Sequence, residues 1–421
     1  MCIRDSNSGG ALLNMDGDLI GINTAIATGG SGRSNRGVGF AIPSNMANRI
    51  MGDLIDKGYV TRSWLGVYIQ ELDSEKLKKL QWQIMQNVAA SAIIPLMRIG
   101  DELGLFKVLA DNGPCTDEEF SNLAKIDNRY GREWLLALCA AGYCSADEDV
   151  NKFHLSPEQQ AVFAFEDSPA LMIGAYDVLS ANVHGIDAVR EAFKTGEGVH
   201  YEKFHPCCFQ GTARFFKPSY AANLLEKWLP KVSGVVEKLK DGGSYADIGC
   251  GFGVSTLMVA EEFPKAEVYG FDIHKPSIQK AQSIAKEAGM EKRIQYTVAD
   301  AKSYTGKFDV IAFFDCLHDM GDPEGAARYA FEHLNDGGVV ILIEPTASDK
   351  PSENFHTIGQ MYYSFSTMGC IPTSKSQEVG LALGAQAGPK KLEDILSKAG
   401  LADPKVVHRN ASNMVIEARK I

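Results

Sequence analysis

No apolar run in the chain approaches the roughly 18 residues that a membrane helix needs. No basic start followed by an apolar stretch is present, so no secretory signal is readable. The nine cysteines fall without metal-ligand spacing, Cys207 beside Cys208, and Cys139 and Cys144 in one helical stretch. Reduced thiols in a cytoplasmic protein, with no bound metal, are the expectation. Positive charge is also short. The net charge of −11 excludes an indiscriminate grip on nucleic acid or on an anionic membrane, so neither is expected as a partner. Histidine is absent before His154. What is present is 421 residues, 45% of them hydrophobic, enough for two or three packed domains.

Leu12 to Leu13, Leu19 to Ile22 and Val38 to Ile42 read as short strands between Gly, Asn and Asp turns. The stretches NSGGALLNMDGDLIGINTAI, GVGFAIPSNMANRIMGDLIDKGYV and WLGVYIQEL resemble the end of the HtrA/Deg serine protease domain and the start of its PDZ module. The resemblance implies Ser8 as nucleophile, with backbone N–H groups of Ser8 and Ser6 lining an oxyanion hole; the family has Gly where Ser6 stands. A serine hydroxyl needs an imidazole to take its proton and a carboxylate to orient that imidazole. The family draws both from the part of its domain before the serine. Residues 1–80 are therefore expected to be a truncated, inactive protease fragment of β-barrel origin. Serine endopeptidase activity is the alternative.

From Gln81 the periodicity becomes helical. NVAASAIIPLMRIGDELGLFKVLA carries apolar residues three and four apart, with Gly104 near a break. Thr116 stands three residues before Glu119, the spacing of a capping box. A further helix over NRYGREWLLALCAAGYCSAD and a wing strand at NKFHLSP complete a winged-helix pattern. Between Arg98 and Val150, five Lys or Arg face eleven Asp or Glu. A helix that reads DNA should be basic, so Arg129 and Arg132 are expected to be surface or ion-paired residues. The pattern resembles the winged-helix modules that stand in front of small-molecule methyltransferases and pair two subunits, which implies a dimerisation module over residues 81–165 and a homodimer; a cofactor-binding, DNA-binding regulator is the alternative.

Chemistry concentrates in GGSYADIGCGFGVSTLMVAEEFPKAEVYGFDIHKPSIQKAQSIAKEAG, which reads strand, glycine turn, helix and a second strand ending at Asp272. Glycines let a ligand approach main-chain N–H groups, and an acid closing the second strand can accept from ribose hydroxyls. A dinucleotide fingerprint needs Gly or Ala at 254, where this chain has Val254. Asp247-Ile-Gly249-Cys-Gly251-Phe-Gly253 instead resembles the S-adenosylmethionine signature of class I methyltransferases. The resemblance runs over residues 85–421 and continues through RIQYTVADAKSY, KFDVIAFFDCLHDMGDPEGAARYAFEHLNDGGVVILIEP and KVVHRNASNMVIEARK. It implies an α/β fold, a Rossmann-like methyltransferase domain over residues 166–421 that binds S-adenosylmethionine. Asp247, Gly249, Gly251, Gly253, Asp272, Asp300, Ala301 and Asp315 are its expected cofactor residues, with Asp300 at the adenine amine.

FFDCLHDMGDP and SQEVGLALGAQAG resemble a group of winged-helix methyltransferases, and more broadly the small-molecule O-methyltransferases. That resemblance carries the general-base role to His318 and the orienting acid to Glu344, after the fifth strand. An imidazole titrating near neutrality suits a hydroxyl acceptor that must lose a proton. Capping of the helix beginning at Asp319 or Asp322 is the alternative role for His318. The long stretch between Pro345 and Lys390 is expected to form a helical cap over the acceptor, and KTGEGVHYEKFHPCC a mobile lip. Met361, Tyr362, Tyr363 and His205 are candidate pocket residues; Phe252, Phe271, Phe313 and Phe314 are expected around the sheet or adenine.

Overall fold

The computed structural model describes residues 8–28, 35–60 and 72–421, with the side chains of 26–28 and 35–38 left aside. Ser6 and nearly all of WLGVYIQEL lie outside the described residues. The chain divides into two compact units, Met1–Lys79 and Leu80–Ile421. The helix Ser74–Ala92 runs across the division.

In the first unit, β1 (Ala11–Leu13), β2 (Leu19–Thr28) and β3 (Asn35–Pro43) form an antiparallel sheet in that order, with β2 and β3 longer than expected. Asn14 makes the first turn: its side-chain carbonyl accepts from the N–H of Asp16 at 2.9 Å and of Asp18 at 2.8 Å. Helix Ser44–Lys57 follows and ends at Gly58, whose φ of 75° is the left-handed cap that glycine adopts without strain.

The second unit opens with helices Ile94–Glu102, Leu105–Asn112, Asp117–Ala124 and Asn128–Ala140. Gly104 does break the first pair, and the Thr116–Glu119 capping box forms in both directions. Cys139 lies in the last of these helices, but Cys144 lies beyond its end. The wing is two residues per strand, β4 (Ser145–Ala146) against β5 (Phe153–His154). Met97, Phe106, Leu109, Phe120, Trp134 and Phe153 fill this core. Arg129 pairs with Glu133, and Arg132 with Asp117 at 3.2 Å.

Helices Gly174–His184 and Pro206–Asn223 then cross closely. A Cβ on Gly211 would stand 2.5 Å from the Asp177 Cβ, and one on Gly174 2.7 Å from the Arg214 Cβ. Arg214 ties this crossing to the winged helix through both oxygens of Asp101, at 2.6 and 3.0 Å, and across the crossing itself it donates to Asp177 at 3.1 Å.

Seven strands form the main sheet: β6 (Ser244–Ile248), β7 (Glu267–Asp272), β8 (Ile294–Val298), β9 (Phe308–Phe314), β10 (Leu334–Pro345), β11 (Ala402–Arg409) and β12 (Asn413–Arg419). Their order is β8-β7-β6-β9-β10-β12-β11. The first five run parallel, and β12 is antiparallel to both its neighbours. Alternation along β9 sends Ile311 and Phe313 to one face, with Ala326, Ala330 and Leu392, and Val310, Ala312 and Phe314 to the other, with Trp228, Val259 and Phe263. The chain reverses direction across the sheet between β6 and β9. Beyond the carboxyl ends of those strands lies the crevice where open α/β sheets bind ligands.

Candidate active site

The turn after β6 is pinned to the next strand, because the N–H groups of Gly249 and Cys250 both donate to the Phe271 carbonyl, at 2.7 and 3.0 Å. Gly253, at φ 73°, lies so close to the Tyr296 ring that any Cβ would overlap its hydroxyl. Gly251, at φ 53°, faces open space instead. Its N–H donates to Asp272 Oδ2 at 2.9 Å, while Asp272 Oδ1 accepts from the His274 N–H at 2.7 Å. Asp272 closes β7 as expected, and burial pushes its carboxyl pKa up.

Two connected chambers open here. The larger, of about 580 Å³, is lined by Gly249, Asp272, Asp300, Ala301 and Asp319 among others. The smaller, of about 210 Å³, is largely aromatic, with Phe209, Phe216, Phe252, Tyr362 and Phe365. Tyr201, Gly249, Asp272, Cys316, Asp319 and Thr373 line both, which makes them the junction.

Two carboxylates grouped with the cofactor in sequence stand elsewhere. Asp247 lines neither chamber. It is fully buried beneath the turn, where Oδ2 accepts from Ser255 at 2.6 Å and Thr256 at 2.7 Å, clamping the next helix to β6. Its Oδ1 has no partner among the described residues, and burial pushes its pKa up to about 6. Asp315 lines only the smaller chamber. A backbone φ of 48° turns it out of β9, and its oxygens accept from Tyr220 at 2.7 Å and Asn413 at 2.8 Å. Burial, with Glu344 nearby, pushes it up to about 7. Asp300 sits two residues past the end of β8, and its carboxylate accepts from the Lys302 N–H at 2.8 Å.

His318 lies in the single turn Leu317–Asp319 after β9 and is buried. Its Nδ1 stands 2.5 Å from Glu344 Oε2, and Glu344 Oε1 accepts from the Leu317 N–H at 3.1 Å. Glu344 is the penultimate residue of β10 rather than a residue after it. Burial works against a charged imidazole, but Glu344, helped by Cys370, outweighs it and holds the His318 pKa well above the usual range. The capping role falls to Asp322, which accepts from the Gly325 N–H at 2.8 Å, and not to His318. Asp319, beside it at the junction, is pushed up to about 7 by burial.

The cap over the smaller chamber is helical, as Thr357–Phe365, Ser366–Cys370 and Ile371–Lys375. Of the four candidate pocket residues only Tyr362 lines it. His205 instead caps helix Pro206–Asn223 and stacks on His184 at 4.1 Å. The expected lip is packed against the cap, with the Val199 N–H donating to the Pro372 carbonyl at 2.9 Å. Phe271 and Phe313 are core, while Phe252 and Phe314 line the smaller chamber. Tyr201, Cys316, Cys370 and the Tyr220–Asp315–Asn413 set escape sequence reasoning. Tyr201, Cys316, Cys370 and Asn413 stood in stretches already singled out and Asp315 was named for the cofactor, but none was given the place it has here.

The comparisons with known proteins fall along the same lines. Residues 239–400 match the family model described as methyltransferase domain, and residues 89–164 that of an Rv2258c-like winged HTH domain. Residues 239–400 are thus similar to a methyltransferase domain. Human N-acetylserotonin methyltransferase in complex with SAM is similar in structure, with a TM-score of 0.60 at 14% identity over 84% of this chain and 99% of that one. Mitomycin 7-O-methyltransferase is similar at a TM-score of 0.61 and 15% identity, over 82% of this chain and 100% of that one. Periplasmic serine endoprotease DegP of Escherichia coli (strain K12) is 43% identical over 93 residues, 22% of this chain and 19% of that protein. The chain thus spans about a fifth of the length of the curated relatives it matches. Among the described residues, no helix is long and apolar enough to cross a membrane.

S-adenosylmethionine is the cofactor expected of such a domain, and the residues present fit it. The turn leaves open space over Gly251, and an acid, Asp272, closes β7 at the junction of the two chambers.

Proposed function

We propose that this chain transfers a methyl group from S-adenosylmethionine to a hydroxyl of a small, flat molecule. The observation that carries the reading is His318: one nitrogen is held by Glu344, and its ring lines the aromatic chamber that joins the larger one at Gly249 and Asp272. Asp272 would hold the ribose hydroxyls, and Asp300 with Ala301 the adenine. Gly249 and Gly251 would lie along the rest of the cofactor, with Asp247 and Gly253 shaping the turn. The cofactor, when bound, supplies a methyl already activated on a sulfonium, so alignment is the chain's main task. Glu344 accepts the Nδ1 proton of His318, which leaves Nε2 to take the acceptor's proton when the imidazole is neutral. Aromatic walls exclude water and hold a flat acceptor by its faces.

We assign residues 1–80 to an inactive protease fragment, 81–165 to a dimerisation module and 166–421 to catalysis. The first assignment is supported by Ser8, whose hydroxyl donates to the Thr24 carbonyl at 3.4 Å. Exposed Leu80, Trp82, Ile84, Met85 and Val88 on helix Ser74–Ala92 support an apolar surface for a second copy. The acidic balance of the winged helix speaks against nucleic acid as partner, and the free cysteines suit a cytoplasmic location. A metabolite screen with isotope-labelled S-adenosylmethionine, read by mass, tests the reading. A mass gain at oxygen supports it, and cofactor binding without transfer to any metabolite would favour a regulator.

A further inference from the structure

His318 has two partners. While Nδ1 meets Glu344, Nε2 lies 3.3 Å from the sulfur of Cys370. Cys370 comes from the cap and lines the aromatic chamber. Thiol, imidazole and carboxylate in a row are the arrangement that makes a thiol nucleophilic: the imidazole takes the thiol proton and the carboxylate holds the imidazolium that results. The same chamber holds its own controls. Cys208 and Cys316 line it as well. Burial pushes the Cys208 thiol up to about 12 and the Cys316 thiol well above its usual range, and Cys316 points its sulfur at the Ile248 carbonyl, 3.2 Å away.

We propose that Cys370 is a covalent-modification site, where the Cys370–His318–Glu344 row captures soft electrophiles of the α,β-unsaturated carbonyl class that enter the aromatic chamber. His318 Nε2 takes the thiol proton as the sulfur attacks the β-carbon. A C–S bond forms, the alkene π pair moves into an enolate, and the proton on Nε2 passes to the α-carbon. Nothing is oxidised or reduced, and no group leaves. The adduct then occupies the face of His318 that a hydroxyl acceptor would need. That consequence rests on the proposed function; the capture itself does not.

The test is time-resolved labelling of the full-length protein with sub-stoichiometric N-ethylmaleimide, read peptide by peptide by mass spectrometry. Cys370 should label at least about tenfold faster than Cys208 and Cys316, a modest share of what a positioned base supplies. His318→Gln should bring Cys370 down to their range. Equal rates at the three cysteines in the parent protein, or a Cys370 rate unchanged by His318→Gln, would overturn the proposal. If His318→Gln does not fold, the parent protein still decides by pH. His318 assists only as neutral imidazole, so the Cys370 rate should level off once His318 has lost its proton while the Cys208 rate keeps rising, and the Cys370-to-Cys208 ratio should fall above that ionisation; a ratio constant across pH refutes the assistance. Calorimetry with S-adenosylmethionine separates the two readings, since a parent protein that fails to bind it sinks the proposed function and leaves the labelling result standing.

Discussion

The two units treat apolar residues in opposite ways. Among the described residues of Met1–Lys79 only Gly21 is buried, and Leu13, Met15, Phe40 and Ile55 are more than half exposed. In the sheet of the second unit, Val340 to Ile343 and Val415 to Ile416 are fully buried, covered by helices on both faces. Patterning is similar in both: alternating apolar strands, then an amphipathic helix. The difference is whether a second layer covers the face. A sheet without one gains almost nothing from its apolar residues, because area removed from water is what stabilises. The second unit can therefore hold carboxylates and an imidazole in fixed, costly positions, and the described residues of the first form no packed frame on which to do so.

The sharpest way to break that contrast is at the chemistry. His318→Gln should bind S-adenosylmethionine normally yet lose turnover by roughly 10²–10⁴, the usual worth of a positioned base. Since Glu344 holds the imidazole proton, the parent rate should rise with pH through an ionisation above the ordinary value of about 6.5. Single-turnover methyl transfer across pH checks both. Equal rates for parent and variant would leave alignment as the only device.

Packing comes next. Trp228 is fully buried on one face of the sheet, so Trp228→Ala should cost about 3–5 kcal/mol in denaturant unfolding. Phe40→Ala, at an exposed site of the first unit, should stay within about 0.5 kcal/mol. Comparable losses would mean that the first unit has a core after all. A smaller effect is expected at the cofactor. Asp272→Ala removes a charged acceptor and should weaken binding by about 1.5–3 kcal/mol in calorimetry. Some of that loss would come from Gly251 and His274, whose N–H groups Asp272 also holds.

How much of this site was legible follows from where its contacts lie in the chain. The glycine turn and Asp272 share one strand–helix–strand unit, where the order of elements fixes their neighbourhood. His318 follows β9 and Glu344 lies at the end of the adjacent β10, so both could be read from flanking motifs. Cys370 is 52 residues from His318, and Tyr220 and Asn413 are 95 and 98 from Asp315. Linear spacing carries no sign of such meetings. The misplacing of Asp247 and Asp315 has another cause: residue type and strand position mark an acid near the crevice, but backbone direction decides which way it points. The positive φ of Asp315 turns it to Tyr220, and Asp247 points under the turn.

Stability against pH should differ between the units as well. Asp247, Asp315 and Asp319 are raised to about 6, 7 and 7 from an ordinary 3.8, chiefly by burial. An acid whose folded pKa is raised contributes most below its unfolded value, and that contribution is lost as pH climbs through the folded value. His318, also raised, is lost in the same direction. Without ligand, the melting temperature of the second unit should fall as pH rises from about 4 to above 7, and Asp315→Asn should flatten part of that slope. A melting temperature that climbs steadily over this range would contradict the burial argument.

The smallest expected effect comes from removing the first unit. Deleting residues 1–73 keeps helix Ser74–Ala92 whole and takes away the three-stranded sheet with its exposed apolar residues. Affinity for S-adenosylmethionine should not change, because every residue lining the two chambers lies between Val178 and Ala385. Solubility should improve, since unpaired strand edges and apolar patches promote association. Ser8→Ala in the full chain should be silent: the hydroxyl it removes is exposed and makes one long bond to Thr24. Casein hydrolysis that disappears in Ser8→Ala would reverse the contrast, because it would require an organised catalytic site in the unit that buries least. Cofactor affinity that falls on deletion would break it differently, by showing that the first unit supports the fold of the second.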